Sequence, residues 1–171
     1  MSEMESGTGQ ATAKKALAMA LQNGYEVPTA LGRRNLAMAF AAKGCVVYGK
    51  AFDCFLVSGD PLDLSNLAEV QERIDVVTLC EIKSTRKELG EQFGGYFFSI
   101  STAEVLVAQS LGSQFRFLFV NTTTGSLLDL RLQDVYTRAK AIPDVEHPVL
   151  IVAPGRGPRV RIVSSCSDRA F

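Results

Sequence analysis

The chain has 171 residues, of which 47% are hydrophobic and 21% are charged, and its formal net charge is zero. This length suits one domain with a single substantial core, and this apolar content excludes a chain that is disordered throughout. The zero net charge excludes a strongly basic protein, so any contact with nucleic acid would have to use a local basic patch.

Histidine and cysteine restrict the kinds of site that the chain can hold. The single histidine, His147, precedes Pro148 in a predicted turn, which argues against a histidine-based metal site or a Ser-His-Asp triad. The four cysteines are Cys45, Cys54, Cys80 and Cys166. Their spacing matches neither a CxxC zinc motif nor a disulfide framework, so we interpret them as reduced thiols. With no signal-like N-terminus and no apolar run of ~18 residues, the sequence predicts a cytoplasmic protein without membrane contact.

The N-terminal part of the chain predicts two helices and a strand. Small polar residues predict a disordered N-terminus over residues 1–10. Apolar residues at helical spacing predict a helix over residues 11–22 and a second helix over residues 29–43. The segment 45–57 is rich in valine and aromatic residues, which predicts strand structure in the form of a hairpin bent at Gly49.

The remaining elements alternate between strand and helix patterns. We expect a short helix within residues 64–73, a strand over 74–83, and a helix over 101–111 that opens with the capping box Ser101-Thr102-Ala103-Glu104. The run 115–120, which is apolar except for Arg116, predicts an interior strand covered on both faces. Weaker patterns predict strands at 97–100, 127–132 and 149–152 and a helix at 133–141.

This order of elements predicts an α/β fold with a mixed central sheet flanked by helices and with two helices at the N-terminus. The strand-helix-strand unit between residues 74 and 120 implies two parallel strands joined by a right-handed crossover. We expect one domain over residues 11–171.

Three charged residues stand out because they lie in apolar strand patterns. Glu81 and Lys83 are two apart, so they point to one face, at the place where the predicted strand emerges from the core. Asp53 lies between Phe52 and Cys54, and a half-buried carboxylate is costly unless it is paired or binds a metal. If the two strands are neighbours, the three side chains converge. The alternative is a surface Glu–Lys pair and an aspartate in a turn.

Convergence of these residues would suit a magnesium site. Asp53, Glu81 and the backbone carbonyl of Ile82 would hold Mg²⁺, or Mn²⁺ as a substitute, through oxygen ligands. The metal would lower the pKa of a bound water, and the Lys83 ammonium could orient or deprotonate that water or stabilise the transition state. Asp75 is the main rival to Asp53, but six residues along one strand span ~20 Å, which is too far for a shared metal.

The segment Phe52-Asp53 followed by Cys80-Glu81-Ile82-Lys83-Ser84-Thr85 resembles the D…(D/E)xK signature of the PD-(D/E)xK nuclease superfamily. Two longer segments, GRRNLAMAFAAKGCVVYGKAFDCFLV and FFSISTAEVLVAQSLGSQFRFLFVN, are similar to the opening helix and to the helix-then-strand segment of the NO VEIN C-terminal-type domain. The resemblance covers about residues 32–121.

This resemblance implies a restriction-endonuclease-like fold and a Mg²⁺-dependent endodeoxyribonuclease that acts on DNA, as a homodimer or in a larger complex. The chain departs from the pattern in two places. Phe52 replaces the proline, and the helix over residues 33–43 has no acidic residue, so we expect two side-chain carboxylates at the metal. A second function class is a catalytically silent fold that binds nucleic acid or protein. A third is an ordinary α/β protein with a chance motif.

Six basic residues are candidates for contact with phosphate groups. They are Arg33 and Arg34 at a helix start, Arg86 and Lys87 after the Glu81 strand, and Arg156 and Arg159 in a predicted basic loop. Each of them would equally suit a solvated surface.

Overall fold

The computed structural model describes the backbone of residues 3–89, 93, 96–138, 142–143, 149–153 and 159–164, and the side chains of residues 9–89, 93 and 96–135. Three residues discussed above, His147, Arg156 and Cys166, lie outside these residues, and the side chain of Arg159 is likewise not described.

Five α-helices lie in the described part of the chain. They are α1 Glu3–Gln22, α2 Ala30–Ala42, α3 Leu67–Arg73, α4 Thr102–Leu111 and α5 Leu132–Arg138. Each predicted helix is present. Helix α1 begins at Glu3 rather than at Ala11, so the predicted disordered segment is helical from Glu3 onward. Gly7 and Gly9 lower the helix propensity there but do not forbid a helix, as proline would.

The described strands form two four-stranded sheets. The strands are β1 Cys54–Val57, β2 Val77–Thr85, β3 Phe97–Ser99, β4 Phe115–Asn121, β5 Leu127–Leu130, β6 Ile142–Pro143, β7 Val149–Ala153 and β8 Arg159–Ser164. The main sheet has the order β1-β2-β4-β5, and the second sheet has the order β3-β7-β8-β6. In the main sheet only the β2–β4 pair is parallel, and it is joined through α4. The fold is therefore mixed α/β, as predicted.

The main sheet carries apolar side chains on both faces. Val77 and Leu79 belong to one buried cluster, with α2 and α4, whereas Cys80 belongs to a second cluster with Ala16 and Ala20 of α1. Strand β4 contributes to both clusters and lies between β2 and β5. This confirms the prediction that residues 115–120 form an interior strand next to the Glu81 strand.

The predicted strand over residues 45–53 is wrong, and hydrogen bonds to helices α2 and α4 explain why. Only Cys54–Val57 of the predicted hairpin 45–57 is strand. The N–H of Cys45 donates to the Phe40 carbonyl and the N–H of Val46 to the Ser110 hydroxyl, so this backbone is satisfied by helix ends instead of a partner strand.

The other two differences concern residues 74–76 and the predicted basic loop near the C-terminus. Residues 74–76 form a 3-10 turn, in which Asp75 pairs with Lys43. The rival metal ligand is therefore engaged elsewhere and does not lie on β2. The segment that we interpreted as a basic loop contains strand β8, because it pairs antiparallel with β7.

No helix in the described residues is long and apolar enough to cross a membrane.

Candidate active site

Asp53 is held beside strand β2 by contacts of its own backbone and of its neighbours. The Asp53 N–H donates to the Cys80 carbonyl at 2.8 Å. The Arg33 guanidinium donates to the carbonyls of Gly49 at 2.7 Å and Phe52 at 2.6 Å, and it stacks over the Phe52 ring at 4.3 Å. Arg33, which we predicted as a phosphate contact, therefore holds the loop that delivers Asp53.

The Asp53 side chain is exposed, which differs from the half-buried state that its apolar neighbours predict. Its Oδ2 accepts a hydrogen bond from the backbone N–H of Ile82 at 2.9 Å. This contact places the carboxylate against β2, between the positions of Glu81 and Lys83. Of Ile82, the structure shows the N–H engaged, and its predicted role as a carbonyl ligand stays a prediction.

Glu81 and Lys83 are buried rather than exposed at the end of the strand. Lys83 Nζ lies 2.9 Å from Glu81 Oε1 and 2.9 Å from Glu104 Oε2, and the three side chains are only 11–12% exposed. The pattern had indicated a solvated strand end. The burial arises because α4 begins here and its first turn lies over Lys83. We call these three residues the carboxylate–lysine cluster.

Glu104 is the member of the cluster that sequence reasoning missed. We had assigned it only to the capping box of α4, which is present: Glu104 Oε2 accepts from the Ser101 N–H at 2.9 Å. The same oxygen also accepts from Lys83. The topology contained a signal for this contact, since a helix joining two parallel strands starts at the carboxyl end of the first strand, where Lys83 lies.

The electrostatics of the cluster follow from two carboxylates and one ammonium in a buried place. Burial, together with the charges of Asp53 and Glu104, raises the pKa of Glu81 to about 8, although the Lys83 ammonium opposes this shift. Burial lowers the pKa of Lys83, but the two carboxylates outweigh it and the net shift is upward. Lys83 is therefore protonated at neutral pH, and Glu81 holds a proton readily.

The donor set allows a hydrated magnesium ion but not a protein cage. No group of three or more histidine, cysteine, aspartate or glutamate side chains in the described residues is arranged to hold a metal. Mg²⁺ usually keeps several waters and binds through one or two carboxylates. Asp53 and Glu81 supply two carboxylates, which is the number that such a hydrated site requires.

A cleft of about 1010 Å³ opens beside the cluster. Its described lining comes from α1, from the end of β2 and from β3. It includes Lys83, Arg86, Lys87, Tyr96 and Phe97. The described lining contains three basic side chains and no acidic one, although the chain as a whole is neutral.

The backbone that carries Arg86 and Lys87 is fixed by the turn after β4. Thr123 Oγ1 donates to the Arg86 carbonyl at 2.7 Å, and Asn121 Nδ2 donates to the Lys87 carbonyl at 3.0 Å. Both basic side chains are exposed. Two predicted phosphate contacts therefore lie at this cleft, whereas Arg34 is exposed on α2 and does not line it.

No family model, curated protein or solved structure matches this chain. The fold class is defined by the structure itself: a mixed α/β fold with a four-stranded mixed sheet and flanking helices.

Proposed function

We propose that the chain is a Mg²⁺-dependent nuclease that hydrolyses phosphodiester bonds in DNA. The observation that carries this proposal is the placement of Asp53 against β2, beside the pair of Glu81 and Lys83, next to a cleft lined by basic residues. The resemblance to the PD-(D/E)xK signature assigns these same three residues.

In this mechanism each side chain has one task. Asp53 and Glu81 would bind Mg²⁺, or Mn²⁺ in its place, and Glu81 would release its proton when it does so. The bound metal would lower the pKa of a water and neutralise charge on the phosphodiester. Lys83 orients that water or stabilises charge on the phosphate. It is not the base, because its pKa is raised and it is protonated.

Lys83 has the donors for this task. An ammonium group has three, and the described carboxylates use two of them. The third is available to a phosphate oxygen or to the attacking water. Glu104 helps to hold the Lys83 ammonium in position, because its Oε2 lies 2.9 Å from Nζ.

The test is a cleavage time course on supercoiled plasmid and on linear duplex DNA with Mg²⁺, Mn²⁺, Ca²⁺ or EDTA. We expect cleavage with Mg²⁺ and Mn²⁺ and little with Ca²⁺, which binds oxygen ligands more loosely. Asp53→Asn and Glu81→Gln should each reduce the rate by at least about 100-fold. Glu72→Gln and Asp60→Asn change exposed acids elsewhere and serve as matched controls. Parent-rate cleavage by folded Glu81→Gln protein would refute the proposal.

A second candidate function has its own supporting observation. Two of the three Lys83 donors are engaged by carboxylates that are only 11–12% exposed, and such a cluster could instead be structural, in a catalytically silent fold that binds nucleic acid or protein. A melting series with Mg²⁺ or Mn²⁺ separates the two. A metal that binds Asp53 and Glu81 in the folded state raises the Tm, and Glu81→Gln removes that rise. The silent fold shows no rise for either protein.

A further inference from the structure

Strand β3 places an aromatic ring on the wall of the cleft. Its side chains alternate, so that Phe98 is 6% exposed whereas Phe97 is 51% exposed. Phe98 packs edge-on against Phe119 with ring centroids 4.5 Å apart, and it stacks on Tyr96 with centroids 5.4 Å apart. This buried contact fixes β3, and Phe97 consequently faces the cleft with half of its surface in water.

The part of the lining contributed by the end of β2 and the residues after it supplies three positive charges, of which one is paired with carboxylates and two are not. Lys83 belongs to the buried cluster, and its head group is compensated by Glu81 and Glu104. Arg86 and Lys87 are exposed, and no described carboxylate lies within ion-pair distance of either. Their charges are therefore available to an anion in the cleft, on a backbone that the Asn121–Thr123 turn holds in place.

An exposed aromatic ring beside uncompensated cations is the arrangement that binds single-stranded nucleic acid. Bases stack on the ring, and phosphates pair with the cations. A base inside a duplex cannot stack on Phe97, because its neighbours in the helix cover both of its faces. The cleft is thus suited to an unpaired strand.

We propose that this cleft binds single-stranded DNA, with a base stacked on Phe97 and neighbouring phosphates at Arg86 and Lys87. Lys83 lines the same cleft, so cleavage of the bound strand there would rest on the proposed function. The binding itself requires neither a metal nor cleavage. The stacking is indifferent to base identity, so strands of thymine and of adenine should bind alike.

The experiment measures fluorescence anisotropy of labelled 12-mers on the full chain in EDTA. The probes are a thymine strand, an abasic strand of equal length, and a duplex. Phe97→Ala should weaken binding of the thymine strand by about 5-fold or more and leave the abasic strand unchanged. Tyr48→Ala, which removes an exposed aromatic ring outside the cleft lining, is the matched control and should change neither.

Lys87→Ala tests the phosphate contact independently of the ring. It should weaken the thymine and abasic strands equally and reduce the salt slope of binding by about 0.7, the value for one phosphate on a single strand. Lys50→Ala, at an exposed lysine outside the lining, should leave the slope as it is.

Each outcome decides the inference separately from the proposed function. Single-strand binding that depends on Phe97, in a chain that never cleaves DNA, supports the inference and refutes the nuclease. Cleavage of duplex DNA without measurable binding of the thymine strand supports the nuclease and refutes the single-strand inference. A Phe97→Ala effect of equal size on the abasic strand overturns the stacking contact, and so does tighter binding of the duplex.

Discussion

Replacement of Lys83 by methionine would leave Glu81 and Glu104 facing each other in a buried place without their common cation. Methionine keeps most of the length of the lysine side chain, so the change in packing is small. Lys83 is 12% exposed and lies 2.9 Å from each carboxylate. Breaking a buried ion pair by removing one partner costs about 3–5 kcal/mol, because the remaining charge stays buried without compensation.

For a chain of this length, such a loss corresponds to a Tm about 6–20 °C lower. Glu81, whose pKa is raised to about 8, can reduce the loss by keeping a proton, so the loss should be largest above pH 8 and smallest near pH 5. The assay is thermal melting followed by circular dichroism from pH 5 to pH 9, with urea titrations at pH 8 for the free energy of unfolding.

Lys50→Met is the matched control, because Lys50 is exposed, and it should stay within about 0.5 kcal/mol of the parent. A double change of Lys83→Met with Glu104→Gln should recover part of the stability, since it also removes one of the two uncompensated charges. If Lys83→Met unfolds within 1 kcal/mol of the parent at pH 8, the cluster is not buried as described and the reasoning fails.

Three further predictions follow from the same site. The free energy of unfolding of the parent should fall as the pH rises from 4.5 to 8, because the pKa of Glu81 is raised from 4.5 to about 8 and the folded state holds the extra proton in that window. Urea titrations across this range should show a flatter dependence for Glu81→Gln. Arg33→Met should lower the free energy of unfolding by about 1–3 kcal/mol, since it leaves the carbonyls of Gly49 and Phe52 without a charged donor. Because Arg33 holds the loop that carries Asp53, the same change should weaken Mn²⁺ binding, and an unchanged Mn²⁺ affinity by calorimetry would contradict this expectation. Glu104→Gln should reduce kcat far more than it reduces metal affinity, because it acts on the position of Lys83; equal losses in both would show that Glu104 is itself a ligand.

Periodicity in the sequence was sufficient to predict the elements that form the centre of the fold. The largely apolar run at 115–120 favours a strand with cover on both faces, and the capping box at Ser101 fixes where α4 begins. The alternation in β2 likewise predicts that Glu81 and Lys83 share a face with Leu79. Leu79 lies in the hydrophobic cluster that contains residues of α2 and α4.

Other features could not be read from local patterns because they depend on contacts distant in sequence. Residues 45–53 have strand composition, yet their backbone is satisfied by Phe40, Ser110 and the Arg33 guanidinium. The burial of Lys83 depends on where the first turn of α4 comes to rest. A pattern that identifies which residues are charged does not by itself show which of them are covered by another element.

The neutral composition of the chain is compatible with an anionic ligand because the charges are separated in space. Several acidic side chains lie in ion pairs away from Arg86 and Lys87: Glu81 and Glu104 face Lys83, and Asp75 faces Lys43. The cleft lining retains Arg86 and Lys87 without such partners in the described residues. Screening at physiological salt limits each charge to roughly 8 Å, so a strand in the cleft is governed by these nearby cations and not by the sum over the molecule. The net charge therefore argues against non-specific attraction over the whole surface, and it is compatible with the proposed binding of a strand at the cleft.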